Sequence, residues 1–96
     1  MHEHLERIME HYNEALEELM DAQKYARCAD KAKDGDEKSM YIALAKQELE
    51  HEDKLVKTAD RIVESAHDEM LHTVWKHLKK HVTEWRHSIL AKMGDS

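Results

Sequence analysis

The sequence predicts an all-α fold, an antiparallel helical hairpin followed by a third helix, and three observations predict it. Charged residues make up 38% of the 96-residue chain and hydrophobic residues 41%, with no Pro, no Phe and two Gly. That composition suits long amphipathic helices and argues against a β-rich fold. Apolar residues recur in steps of three and four along three long segments. One short break, Asp34-Gly35-Asp36, interrupts the pattern near the first third of the chain.

Helix 1 is expected over about residues 3–33. Its stripe is Leu5, Ile8, Tyr12, Ala15, Leu19, Ala22, Ala26 and Ala29. Gly35 is placed to take a left-handed conformation at its end, and Asp36 to cap the next helix. So short a link makes helices 1 and 2 antiparallel neighbours. Helix 2 is expected over about 37–65, with the stripe Tyr41, Leu44, Glu48, His51, Leu55, Ala59 and Ile62. Helix 3 is expected over about 67–92, opened by Ser65-x-x-Asp68, which resembles a capping box. Its stripe is Leu71, Trp75, Leu78, Val82, Trp85 and Ile89. No Gly or Pro separates helices 2 and 3, so a continuous or kinked helix stays open. Gly94-Asp95-Ser96 should fray.

A chain of this length makes one small domain, residues 1–96, with a modest core. The net charge of −6, with no basic block to offset it, disfavours nucleic acid as a partner. The single Cys28 cannot form an internal disulfide and fits a reducing compartment, with an intersubunit bridge left open. No apolar run reaches membrane-spanning length, so no membrane partner is expected. Met1-His2-Glu3-His4 lacks the basic and apolar regions of a signal peptide. The expectation is a soluble, cytoplasmic protein.

The chemistry concentrates at Glu48-Leu49-Glu50-His51. Glu48 and His51, three apart on a helix, share a face and can grip one cation. They interrupt the apolar stripe of helix 2 halfway along it. A carboxylate on a core-facing stripe is costly unless it is paired or binds a metal. Glu18 lies opposite if the hairpin closes at Gly35. It stands 17 residues before that Gly, with Glu48 13 and His51 16 residues after it. At about 1.5 Å per residue these levels agree to within roughly one helical turn. Ala15, Ala22 and Ala29 leave room around Glu18. Tyr25, seven residues on, is placed to orient a ligand by a hydrogen bond from the second shell. One carboxylate from a first helix plus Glu-x-x-His from a second is half of a di-iron carboxylate site. A two-fold dimer would supply the other half and make a four-helix bundle. These donors suit Fe(II), and also Mn or Zn.

Glu18-x6-Tyr25, Ala29-Asp30-Lys31-Ala32-Lys33-Asp34-Gly35 and Glu48-Leu49-Glu50-His51-Glu52-Asp53-Lys54-Leu55 together resemble the ferritin-like superfamily, in its rubrerythrin, ferritin and encapsulated-ferritin branches. The resemblance covers about residues 15–62. It implies a ferritin-like four-helix bundle completed by homodimerisation or higher homo-oligomerisation. It also implies oxidation of Fe(II) at a di-iron centre, with Glu18, Glu48 and His51 as metal-ligating and catalytic residues. Dioxygen or peroxide would be the oxidant. Full-length ferritins and rubrerythrins carry a second hairpin, where this sequence has one further helix. The encapsulated ferritins look closest in plan, but Leu90-Ala91-Lys92-Met93-Gly94-Asp95-Ser96 does not resemble an encapsulin-docking peptide. The Cys-x-x-Cys iron module of rubrerythrins is absent.

Other features carry blander readings. Glu-x-x-His recurs at Glu64/His67, Glu69/His72 and Glu84/His87, and with 9 His in the chain the motif alone is weak. These three pairs read as surface. His77, His81 and Glu84, at i, i+4 and i+7, form a second candidate metal patch that also reads as a solvated face. Glu14, Glu17 and Asp21, near His11, would guide cations or simply form an acidic face. Trp75 and Trp85 read as core or interface anchors. Two functions compete with a ferroxidase: a non-catalytic helical oligomerisation module, in which Glu48 pairs with Lys or Arg, and a Zn- or Mn-binding protein without turnover.

Overall fold

A computed structural model describes residues 2–94 as three helices, α1 (His2–Lys31), α2 (Gly35–Ala66) and α3 (Glu69–Lys92). Met1, Asp95 and Ser96 lie outside the described residues, and with the last two lies the expected fraying of the C-terminus. The molecule is a rod of about 50 × 19 × 15 Å. Its length is that of the 32-residue α2 at about 1.5 Å per residue. Among the described residues no helix is long and apolar enough to cross a membrane.

The first turn lies earlier in the chain than expected, over residues 32–34. Asp34, not Asp36, caps α2. Its backbone is extended, at φ −127° and ψ 162°, and its carboxylate accepts a 2.8 Å bond from the Glu37 N–H. Gly35 is then the first residue of α2, not a left-handed terminator of α1; among the described glycines only Gly94 has positive φ. Asp34 wins because a carboxylate three residues before an unpaired N–H closes the ring that a cap requires.

The second turn settles whether α2 and α3 are continuous. His67 sits at φ 51° and ψ 42°, left-handed, and ends α2. Histidine is among the non-Gly residues enriched in that region. Asp68 follows in extended conformation and caps α3, accepting from the Leu71 N–H at 3.1 Å. Ser65 does not open a capping box. Its hydroxyl bonds the Ile62 carbonyl within α2. The chain thus reverses twice, and α3 runs back along the hairpin.

Packing is closest between α1 and α2. Small residues make this possible: Ala15, Ala22, Ala26 and Ala29 on α1 and Ala45 and Ala59 on α2 are all buried. Ile8, Leu19, Leu49, Leu71, Val82 and Ile89 fill the centre. On α1 and α3 the buried residues follow the expected stripes. On α2 they do not. The buried row is Ala45, Leu49, Glu52, Val56, Ala59, Ile62 and Val63, while Tyr41, Leu44, Glu48 and Leu55 are only half-buried and His51 is exposed. The physical reason is that α2 is covered by two neighbours, which turns the centre of its buried arc away from the Glu48/His51 row. Polar bonds anchor α3 in place. The Trp85 indole donates to Gln23 Oε1 of α1 at 2.6 Å, and the Trp75 indole to Asp60 Oδ1 of α2 at 2.7 Å. Lys79 Nζ reaches Asp60 Oδ2 at 3.0 Å.

Candidate metal centre

Glu18, at mid-length on α1, meets Glu48 and His51, one turn apart on α2. One ligand atom from each lies within 4.8 Å of the others. The hairpin register brings them level, and the alanines of α1 let the helices approach closely. His51 Nδ1 is 3.5 Å from Glu18 Oε2 and 3.7 Å from Glu48 Oε1. The side chains are 26% (Glu18), 18% (Glu48) and 49% (His51) exposed, so the two carboxylates are held inward and the imidazole stands at the rim. Among the described residues this is the one group of three or more His, Cys, Asp or Glu gathered closely enough for a shared ion.

The electrostatics of the group are those of a site short of positive charge. The Glu48 carboxyl is pushed up to about 7. The main cause is a hydrogen bond shared with Glu18, followed by burial and the Glu18 charge; His51 opposes the shift and Asp21 adds slightly to it. Two carboxylates this close cannot both ionise freely and hold a proton between them. The groups that act on the Glu48 carboxyl are Glu18, His51 and Asp21, with no Lys or Arg among them. Glu18 Oε2 is buried and has no hydrogen-bond partner. Such an oxygen costs free energy unless something occupies its lone pair. A divalent cation would do so, and would replace the shared proton. The donor set, two carboxylates and one imidazole, could coordinate a single metal ion.

Tyr25 takes a different place from the expected one. Its ring stacks on Tyr41 with centroids 6.4 Å apart and 25° between planes. Among the described residues no hydrogen bond links its hydroxyl to Glu18, Glu48 or His51. The contact that the structure gives Tyr25 is thus with Tyr41. The remaining candidates do not join. Glu64, His67, Glu69, His72, His77, His81, Glu84 and His87 are all exposed. Glu14, Glu17 and Asp21 are exposed as well, and His11 Nδ1 lies 2.7 Å from the Arg7 carbonyl. Cys28 is a free, half-buried thiol. A cavity of about 670 Å³ opens at the α2–α3 elbow between Val63, His67, His72 and Trp75, and none of the three clustered residues lines it.

Sequence reasoning missed a second carboxylate. Glu52 is 2% exposed and pairs with Arg86 of α3. Arg86 Nη1 also donates to the Leu49 carbonyl at 2.8 Å. Burial pushes the Glu52 carboxyl up, and the Arg86 bond and charge pull it back. One signal pointed there: Glu52 falls in the row Ala45, Leu49, Glu52, Val56 and Ala59, spaced four, three, four and three.

Comparison of the chain with known protein families, curated proteins and solved structures found no match. What stands is an all-α, three-helix domain with a partly buried Glu/Glu/His group suited to a metal ion.

Proposed function

We propose that this chain binds Fe(II) at Glu18, Glu48 and His51 and oxidises it at a two-metal site shared between two copies. The observation that carries the reading is the buried Glu18 Oε2, which has no hydrogen-bond partner and lies 3.5 Å from the His51 imidazole, beside a Glu48 carboxyl pushed up to about 7. Three donors do not saturate Fe(II), which leaves positions for a second ion, water or a partner's side chains. The group faces the side of the hairpin away from α3, whose polar bonds go to Gln23, Leu49, Glu52 and Asp60. Half-buried Tyr25, Tyr41, Leu44 and Leu55 flank it. A second copy laid on this face about a two-fold axis would double the donors to four carboxylates and two imidazoles and cover those side chains.

In this reading iron is the substrate. Each pair of Fe(II) ions gives two electrons to dioxygen or peroxide, and the carboxylates hold the more highly charged Fe(III) product. Glu48, once ionised, supplies the negative charge that its shared proton otherwise cancels. The likeness of residues 15–62 to ferritin-like hairpins supports the same assignment.

The test is aerobic Fe(II) oxidation, with native mass spectrometry of metal and chain stoichiometry. Wild type should oxidise Fe(II) faster than buffer and take up two metals per two chains, and Glu18→Ala and His51→Ala should lose both. Oxidation by these variants at the wild-type rate sinks the proposal. A second reading has support in the fact that all three donors come from one chain: a single Zn or Mn held without turnover. One metal per chain, with no dimer and no oxidation, would establish it. An oligomer indifferent to chelator and to Fe(II) would make the chain a helical scaffold.

A further inference from the structure

Arg86 stands on α3, yet it grips the turn of α2 that carries two of the three clustered residues. Its Nη1 reaches both the Leu49 carbonyl, one residue from Glu48, and the Glu52 carboxylate, one residue from His51. Leu49 and Glu52 form the inner edge of that turn and are buried; Glu48 and His51 form its outer edge. One guanidinium nitrogen that donates to a backbone carbonyl and to a carboxylate together ties the height and rotation of the turn to the position of α3. An isolated mid-helix carbonyl already serves its own helix, so a bond to it from another helix is a positional contact.

We propose that the Arg86–Glu52 pair is a positioning device for the metal group, setting the azimuth of Glu48 and His51 towards Glu18. The proposal rests on the metal-binding reading above. Arg86 touches neither metal nor substrate there and acts through Leu49 and Glu52. The effect is geometric: the groups that act on the Glu48 carboxyl are Glu18, His51 and Asp21, and none belongs to α3. Partners that hold a ligating residue from behind are worth about 10- to 100-fold in metal affinity.

The experiment compares wild type, Arg86→Lys, and the double variant Glu52→Leu/Arg86→Leu, using Co(II) alone as the probe. The double variant is chosen because replacing a buried ion pair by apolar residues of similar volume often leaves stability unchanged or higher. A single Arg86→Leu would strand a buried carboxylate and confuse misfolding with mispositioning. Circular dichroism and denaturation establish that each protein is folded. The readouts are Co(II) affinity, the ligand-field spectrum of bound Co(II), and amide hydrogen exchange of residues 48–52 without metal. The double variant should bind Co(II) about tenfold or more weakly, with an altered spectrum and faster exchange in that turn. Arg86→Lys, keeping the charge but not the planar guanidinium, should fall between. A folded double variant with wild-type affinity and spectrum overturns the positioning role and leaves the metal site standing. A wild type that binds no Co(II) removes the metal reading, and the positioning role with it.

Discussion

Glu48 and Glu52 lie one helical turn apart on α2 and have opposite fates. Glu52 is almost wholly buried, and α3 supplies an arginine to neutralise it. Glu48 is more exposed, yet no arginine or lysine answers it; its nearest partners are another carboxylate and a histidine at the rim. The first is a structural carboxylate, satisfied within the chain. The second is left with a raised carboxyl beside Glu18. Burial alone therefore does not mark a functional acid; the absence of a fixed counter-charge does.

The largest expected effect belongs to Glu52. Arg86→Ala leaves a buried carboxylate with no partner, a change that typically costs about 3–5 kcal/mol. Chemical denaturation should show a loss of that size. A loss under 1 kcal/mol would mean that the carboxylate escapes to solvent and that the contrast with Glu48 is false. Metal should act on the other site. At a free concentration 100 times Kd, Mn(II) or Zn(II) should stabilise the folded chain by about 2.7 kcal/mol, and Glu18→Ala should abolish that gain. Thermal unfolding with metal and with chelator measures it. Equal stabilisation of the Glu18→Ala protein would place the ion elsewhere.

The contrast also explains what was legible in the sequence. The hairpin was readable because its apolar period and its break at Asp34-Gly35 are local. The convergence of Glu18, Glu48 and His51 was readable because counting from that break fixes the level of each. Which side of α2 would be buried was not, because residues 41–62 carry two apolar rows on adjacent faces, and the position of α3 decides between them. Glu52 stood in an apolar row just as Glu48 seemed to, and a carboxylate in such a row serves equally well as a ligand or as half of an ion pair. Only the arrival of Arg86, 34 residues later, separates the two. The break at His67 was hidden for another reason. A left-handed histidine has no sequence signature as strong as glycine, and the Asp68 cap was visible only as part of a different motif.

The pH dependence should also distinguish the two carboxyls. The folded-state Glu48 carboxyl is raised to about 7 from an ordinary value of 4.5, so between these values the folded chain holds more protons than the unfolded one. Its contribution is complete below pH 4.5 and is lost as pH rises through 7. This runs opposite to ordinary acid lability. Glu48→Gln keeps the hydrogen bond to Glu18 without the charge. The metal-free variant should be more stable than wild type at pH 8, by on the order of 1–2 kcal/mol, and the advantage should vanish near pH 4. Saturating metal should reverse the ranking, because wild type gains the ion and the variant does not. Denaturation midpoints from pH 4 to 8 decide it, and a constant difference across the range would show that Glu48 does not titrate there.

The smallest effect tests whether the two sites are electrically separate. Asp21 is exposed and acts on Glu48 only through its charge, as the weakest of the contributing causes. Asp21→Asn should lower the Glu48 midpoint slightly. It should leave global stability within about 0.5 kcal/mol of wild type, as expected for a surface change. Glu52 should not respond, since the charges that act on it are Arg86 and Asp53. Carboxyl-selective NMR titration of both residues in the two proteins reads all of this at once. A Glu52 midpoint that moved with that of Glu48 would show one coupled acidic network. Arg86 would then neutralise part of the metal group, not merely hold the turn beneath it.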